Sequence, residues 1–272
     1  MSAACALIWL TNGIRRPSPD RRTVLTDPLF WVVIIPAVTF LGLSKGGFAG
    51  VGMASTPLVA LVLPPLKAAA ILLPILLVQD AISVWVYRRK WSAWNLKVLT
   101  PGAVIGVAAA WLLAAHVSEA AVRLAIGGIG IGFSLNTWFS RFPEKAERPT
   151  AASGVFWGVL SGFTSTFAQV GAPPFQVHVL PQRLDKMTLV GTTAIFFATV
   201  NLMKVVPYFS LGQFSQEGLN LTIALLPLAI ATNFLGIWLV RRTPTAVFYK
   251  VAHVLVFVIS LALLAQGAYA LI

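Results

Sequence analysis

Lys45 stands in the stretch "GLSKGGFAGVGMASTP" (Gly42–Pro57), in the middle of an apolar run and beside Gly46, Gly47, Gly50 and Gly52. A cation inside such a segment is costly and by default functional. Glycines let backbone approach a ligand closely and take dihedrals closed to other residues. A second stretch, "LSGFTSTFAQVGAPP" (Leu160–Pro174), holds Ser161, Thr164, Ser165, Thr166 and Gln169, neutral groups whose donors suit the oxygens of a small oxyanion. Ser44 and Ser161 are placed to cap helices that restart beyond a break. A restarted helix turns free N–H groups and the positive end of its dipole into that break, which favours an anion. The chemistry on offer is therefore anion recognition, with a cationic half-site at Ser44, Lys45, Gly46 and Gly47 and a hydrogen-bonding one at Ser161 to Gln169. Each group also has a plainer use: glycines pack helices, a lysine snorkels to an interface, and hydroxyls bond their own helix carbonyls.

Other polar groups lie inside apolar segments. Asp80 is the one carboxylate well within such a segment; it is either a carrier of a coupling proton or the partner of Lys45 or Lys204, since intramembrane charges find partners. The ion pair is the favoured role. Lys204 precedes Pro207 by three residues, which points to snorkelling. Gln79, Thr192, Thr193 and Asn201 are mid-segment groups that line a path or join helices. Trp85, Trp91, Trp94, Trp111, Trp138 and Trp238 fall near segment ends and read as interface anchors.

The elements that must carry these residues follow from composition. The 272-residue chain is 58% hydrophobic and 10% charged with mean hydropathy +0.84, against about a quarter charged in soluble domains. It reads as an all-α integral membrane protein. The net charge of +12 lies in short loops between apolar segments, as on a cytoplasmic membrane face, so nucleic acid is rejected as a partner. A lone Cys5 excludes a disulfide framework, and His116, His178 and His253 are too far apart in sequence for a metal site. No cofactor and no metal are expected.

Apolar segments run near Leu29–Leu63, Ala68–Tyr87, Val98–Ala115, Ala120–Phe139, Ser153–Leu180, Met187–Tyr208, Leu219–Val240 and Val247–Leu271, split four and four by "SRFPEKAERPT". The division expected is a disordered basic arm over 1–27, a first half over 28–139, a polar connector over 140–152 and a second half over 153–272. An ungapped shift of 117 lays Leu43–Pro64 on Leu160–Pro181, matching Ser44 with Ser161 and Pro57 with Pro174. Leu29–Leu63 holds 35 residues, about 52 Å as a straight helix against a hydrocarbon core of about 30 Å. It must bend, tilt or fold back. Paired interruptions in two halves point to a transporter's binding site. Counting Lys and Arg without the arm, crossing segments give 7 on each side and hairpins give 12 against 2. The positive-inside rule favours hairpins. Each half then opens with a broken, re-entrant helix followed by three transmembrane helices, and the halves are inverted repeats.

"GLSKGGFAGVGMASTPL", "AAAILLPILLVQDAISVWVYRRKW", "SGFTSTFAQVGAPPFQVHVLPQRLDK" and "VGTTAIFFATVNLMKVVPYFSLGQ" resemble the sulfite exporter TauE/SafE family of bacterial membrane transporters, from about Phe30 to the end. The resemblance implies secondary transport of sulfite or organosulfonates across the inner membrane, with a small anion and the lipid bilayer as partners. Gln169 stands where members of that family often carry His, so no histidine-based site is carried over. Protons are a candidate coupling partner and a homo-oligomer is a compatible assembly. An anion channel sharing the cationic break is the alternative. A membrane-embedded enzyme would have Asp80 alone as its acid or base, and no P-loop sequence is present to drive a pump.

Overall fold

The structure is a computed structural model. It describes residues 28–47, 52, 55–59, 65–113 and 149–244, with isolated positions between 118 and 138 and between 254 and 270. The basic arm, Gly50, most of the connector, His116, Arg123 and His253 lie outside the described residues. Among the described residues the regular elements are helices: α1 (Pro28–Lys45), α2 (Ser55–Val59), α3 (Pro65–Tyr87), α4 (Ala93–Leu113), α5 (Ala151–Ala168), α6 (Ala172–Val179), α7 (Lys186–Ser210) and α8 (Gln216–Arg242). Four of them are long and apolar enough to cross a membrane, over Ala68–Tyr87, Ala93–Leu113, Lys186–Ser210 and Gly218–Arg242.

Local chemistry sets the starts. Prolines open α1 and α3, where a missing N–H costs nothing. Thr150, Asp185 and Ser215 cap α5, α7 and α8 by accepting N–H groups of the first turn at 3.1–3.2 Å. The Thr188 hydroxyl, the N–H groups of Thr188 and Met187, and the nearby charge of Lys90 hold the Asp185 carboxyl below its ordinary range.

Close contacts fix the helix directions. A Cβ on Gly102 would lie 2.1 Å from the Val155 carbonyl oxygen, and one on Gly106 2.1 Å from that of Val159; Gly158 and Gly162 sit equally tightly on Leu99 and Ala103. Small residues every fourth position let backbones meet in this way, and the rising numbers on both helices make α4 and α5 parallel. Gly42, Gly46 and Gly47 meet Thr232, Gly236 and Val240, so α1 and α8 are parallel too. In contrast α3 and α7 run antiparallel: Tyr87 and Lys90 face Gly191, Asp80 meets Asn201, and Ala69, Ala70 and Leu73 pack on Tyr208.

The first helix of each set of four thus packs on the fourth helix of the other set, and the two third helices cross each other. Equivalent positions repeat along α3 and α7. Asp80 and Asn201 are 121 positions apart, and the same separation relates Tyr87 to Tyr208. Tyr87 donates to the Gly46 carbonyl and Tyr208 to the Thr166 carbonyl, both at 2.6 Å.

The long opening segments turn back. Ser83 Oγ donates to the Lys45 carbonyl at 2.8 Å, while Phe30 and Ile34 share a core with Ala68 and Ile71. α1 and α3 therefore point the same way, and the chain returns between Lys45 and Pro65. In the second half the return is α6 itself. Ser161 Oγ donates to the Gly171 carbonyl at 2.7 Å, and His178 Nδ1 lies 3.4 Å from Ser153 Oγ near the start of α5. One end of the bundle then collects Arg88, Arg89, Lys90, Lys97, Arg183, Lys186, Arg241 and Arg242, tied by the Asn95–Gln182 bonds and by Lys186 Nζ on the Thr243 carbonyl. It is called the basic end below. The six tryptophans expected at segment ends are exposed.

Two expectations are corrected. Ser44 lies in the last turn of α1 and Ser161 in the middle of α5, so neither caps a restarting helix. Nine residues (46–54) separate α1 from α2, whereas three (169–171) separate α5 from α6. The ungapped shift therefore aligns the short helices and misaligns the helices before them.

Gly158→Leu should force α4 and α5 apart and cost about 1–3 kcal/mol, read as a lower thermal midpoint in detergent. Gly128→Ala, where a Cβ meets nothing within 4 Å, should melt like the parent. A parental midpoint for Gly158→Leu would contradict the close helix contact.

Candidate functional site

The last turn of α1, the break after α5 and the middle of α3 and α7 converge on one buried polar cluster. Lys45 Nζ lies 2.5 Å from Asp80 Oδ1, with the lysine side chain 13% and the aspartate 4% exposed. Asn201 Nδ2 donates to the other oxygen, Asp80 Oδ2, at 2.6 Å. The carboxylate thus has a donor on each oxygen, which is what a buried charge requires. The Lys45 ammonium also stands 5.8 Å from the centre of the Phe197 ring, within cation–π range.

Lys204 does not snorkel. It is fully buried, with Nζ donating to the Ser165 carbonyl (3.3 Å), Ser165 Oγ (3.1 Å) and Gln169 Oε1. Three neutral acceptors in reach make burial feasible where Pro207 alone suggested an exit. Gln169 is the C-cap of α5 with φ 57° and ψ 23°, a left-handed conformation that side-chain-bearing residues seldom adopt and that clusters at functional sites. Its amide nitrogen reaches the Ala69 carbonyl at 3.4 Å, so this one side chain bridges α3 and α7.

Beside the cluster is a cavity lined by Ser44, Lys45, Gly47, Gly52, Ser165, Gln169, Gln176, Thr193 and Asn201 on its polar side, and by Leu41, Leu76, Leu180, Leu189, Val190 and Phe197 among its apolar walls. It offers about 80 Å³ to the centres of water-sized molecules, room for roughly six waters or a small anion. Its walls run from the level of Asn201 to Leu180, Leu189 and Val190, near the basic end. On the other side of the cluster Gln169 meets Ala69 and Lys204, and Tyr208 packs on Ala69, Ala70 and Leu73.

Eight residues singled out from the sequence meet at this cavity: Ser44, Lys45, Gly47, Gly52, Ser165, Gln169, Thr193 and Asn201. Asp80 and Lys204 stand directly behind Lys45, Ser165 and Gln169. The rest do other things. Gly46 packs on Gly236. The N–H groups of Gly46 and Gly47 are taken by the Gly42 and Ser44 carbonyls at 2.8 and 3.0 Å, because they close the C-terminal turn of α1 instead of opening a helix. Thr164 and Thr166 bond the Leu160 and Gly162 carbonyls, the back-bonding usual for such residues. Thr192 bonds Thr188 and accepts the Ser92 N–H. Gln79 joins α3 to α8 through the Ala229 carbonyl and Asn233. The helix-dipole expectation also weakens, since α6 begins Ala172-Pro173-Pro174 and two prolines supply no N–H.

Gln176 was missed. It is buried, lines the cavity, and its Oε1 has no hydrogen-bond partner. The signal was its place as the single amide within the apolar run "APPFQV".

Asp80→Asn should destabilise the protein by about 3–5 kcal/mol, because it strips a buried ammonium of its carboxylate. Adding Lys45→Met to Asp80→Asn should recover part of that loss. Thermal unfolding of the two single variants and the double in one detergent checks the coupling; additive losses would deny the pair.

No curated protein and no solved structure gives a significant match to the chain. A family model does match, the one described as "Sulfite exporter TauE/SafE", over residues 34–263. That span takes in α1 to α8 apart from the first turns of α1, and with them the cluster, the cavity and both helix breaks. Both the multi-pass apolar helices and this match lead to one conclusion: the chain belongs to the sulfite exporter TauE/SafE family of membrane transporters.

Proposed function

We propose that the protein is a secondary transporter of small sulfur-containing anions, of the sulfite or organosulfonate type, in a bacterial inner membrane. The observation that carries the reading is the meeting of both helix breaks at one cavity, beside the Lys45–Asp80 ion pair and the buried Lys204. An anion there gains a cation in low dielectric and amide and hydroxyl groups from Ser165, Gln169, Gln176 and Asn201. The substrate-binding set is Ser44, Lys45, Gly47, Ser165, Gln169, Gln176, Thr193 and Asn201, with Asp80 and Lys204 balancing charge behind it.

The two halves act as inverted repeats with re-entrant openings. Three features support this: the return of α6 along α5, the parallel course of α1 and α3, and the antiparallel crossing of α3 and α7. The basic end faces the cytoplasm, and the cavity lies on that side of the cluster. Alternating access would exchange this opening for its counterpart between α3 and the break after α5, where Ala69 now meets Gln169. An anion channel is the competing reading; the contacts of Gln169 with Ala69 and Lys204 across the far side of the cluster favour a gated carrier.

Flux of sulfite, sulfoacetate and taurine into proteoliposomes, with and without a proton gradient, tests the proposal. Saturable, gradient-driven flux of one of them is expected. Movement of none would end the assignment, and non-saturable flux would select the channel. Single cysteines at Arg183 and Arg241, in a background lacking Cys5, should both resist an impermeant periplasmic reagent. Labelling of both would defeat the inverted topology. Removing Lys45 and Asp80 together, as Lys45→Met with Asp80→Asn, should weaken anion affinity by roughly ten- to a hundred-fold through the lost charged contact.

A further inference from the structure

The polar groups of the cavity are gathered at one level. Lys45 and Asn201 meet there on Asp80, and Ser165 and Gln169 meet Lys204 one turn further along α7. Toward the basic end the walls change character. Along α7 the lining residues are Asn201, Phe197, Ala194, Thr193, Val190 and Leu189, one face of a helix that rises about 18 Å over that interval. Below Asn201 the only polar side chain of this face is Thr193, and its hydroxyl is spent on the Leu189 carbonyl at 2.8 Å. Gly47 faces Val190, and its N–H is taken by the Ser44 carbonyl. The α6 wall changes in the same sense, from Gln176 to Leu180. Ionic partners are equally one-sided. Lys45 is the one charged side chain among the described lining residues. Asp80 has both oxygens occupied, Asp185 caps the Met187 and Thr188 N–H groups outside the lining, and residues 46–66 contain no charged side chain.

We infer that the site takes a small anion with an uncharged apolar tail, in preference to a bare oxyanion or to one whose tail ends in a second charge. This rests on the transport reading above and narrows its substrate class. The anionic head lies beside Lys45, Ser165, Gln169 and Asn201, and the tail runs toward the basic end between Phe197, Val190, Leu189 and Leu180. A bare oxyanion leaves those apolar walls against water. Each methylene placed there removes apolar surface from water and tightens binding about three- to fourfold. A tail ending in an ammonium would give up its hydration among aliphatic side chains with no carboxylate to receive it, which is strongly penalised. Propanesulfonate and taurine are nearly isosteric, one ending in a methyl and the other in an ammonium. The pair therefore isolates the charge of the tail from its length.

Calorimetry on the purified protein at neutral pH would compare sulfite, methanesulfonate, ethanesulfonate, propanesulfonate, butanesulfonate and taurine. Affinity should rise about three- to fourfold per methylene until the tail reaches the end of the cavity. Taurine should bind roughly tenfold or more weakly than propanesulfonate, and sulfite should bind more weakly than propanesulfonate as well. Val190→Ala lengthens the room for the tail without touching the ion pair, and should shift the preference from propanesulfonate toward butanesulfonate. The parent's series decides the matter even where that variant folds poorly. Affinity flat with tail length, taurine or sulfite as tight as propanesulfonate, or a folded Val190→Ala with the parent's preference would each overturn the tail rule and leave the transport reading intact. Binding of none of the six would remove the transport reading itself.

Discussion

A carboxylate held within an apolar bundle must have donors on both oxygens, and Asp80 has them from Lys45 and Asn201. The acid and its two donors come from three different helices. α1 must end where α3 carries Asp80, and α7 must cross α3 at that same level. Once these conditions are met, the second lysine has a defined environment as well, because Ser165 and Gln169 arrive with the end of α5. The ion pair is thus the point on which helix lengths, breaks and crossings agree. The pair is largely buried, so it is costly to break and keeps the end of α1 in one place.

Helix packing around this centre uses small residues to bring backbones together. Gly102, Gly106, Gly158 and Gly162 do this for α4 and α5, and Gly42, Gly46 and Gly236 for α1 and α8. Each pair joins the opening helix of one half to the last described span of the other. The cavity lies beside the α3–α7 crossing, where the ends of α1 and α5 meet it.

Much of this was legible in the sequence, and the failures have physical causes. Composition and apolar length located the long spans, and Ala68–Tyr87 was read to the residue. Asp80 was marked as an ion-pair partner of Lys45 or Lys204 because a charge in an apolar segment stands out against its neighbours, and the structure pairs it with Lys45. Lys204 was misread since Pro207 looks like a helix exit, whereas α7 continues through it to Ser210. The caps at Ser44 and Ser161 failed because the ungapped alignment placed a six-residue length difference outside the break instead of within it. Gln176 escaped attention because its meaning depends on a neighbouring cavity, which no local pattern shows. Among the threonines and glycines, only three-dimensional contact separates Gly47 and Thr193, which line the cavity, from Gly46 and Thr192, which join helices.

Asp80 and Asn201 occupy equivalent positions on two crossing helices and bond to each other. An assembly of two identical subunits crossing in this manner would set like against like at that point. Two carboxylates would repel, and two carboxamides would leave both lysines without any counter-charge. A single polypeptide that carries both halves escapes the restriction, because it can place an acid on one helix and an amide on its counterpart. Fusion of the halves therefore has an electrostatic use apart from economy of assembly. It lets the centre of the bundle be chemically one-sided, with an acid on α3 and an amide on α7.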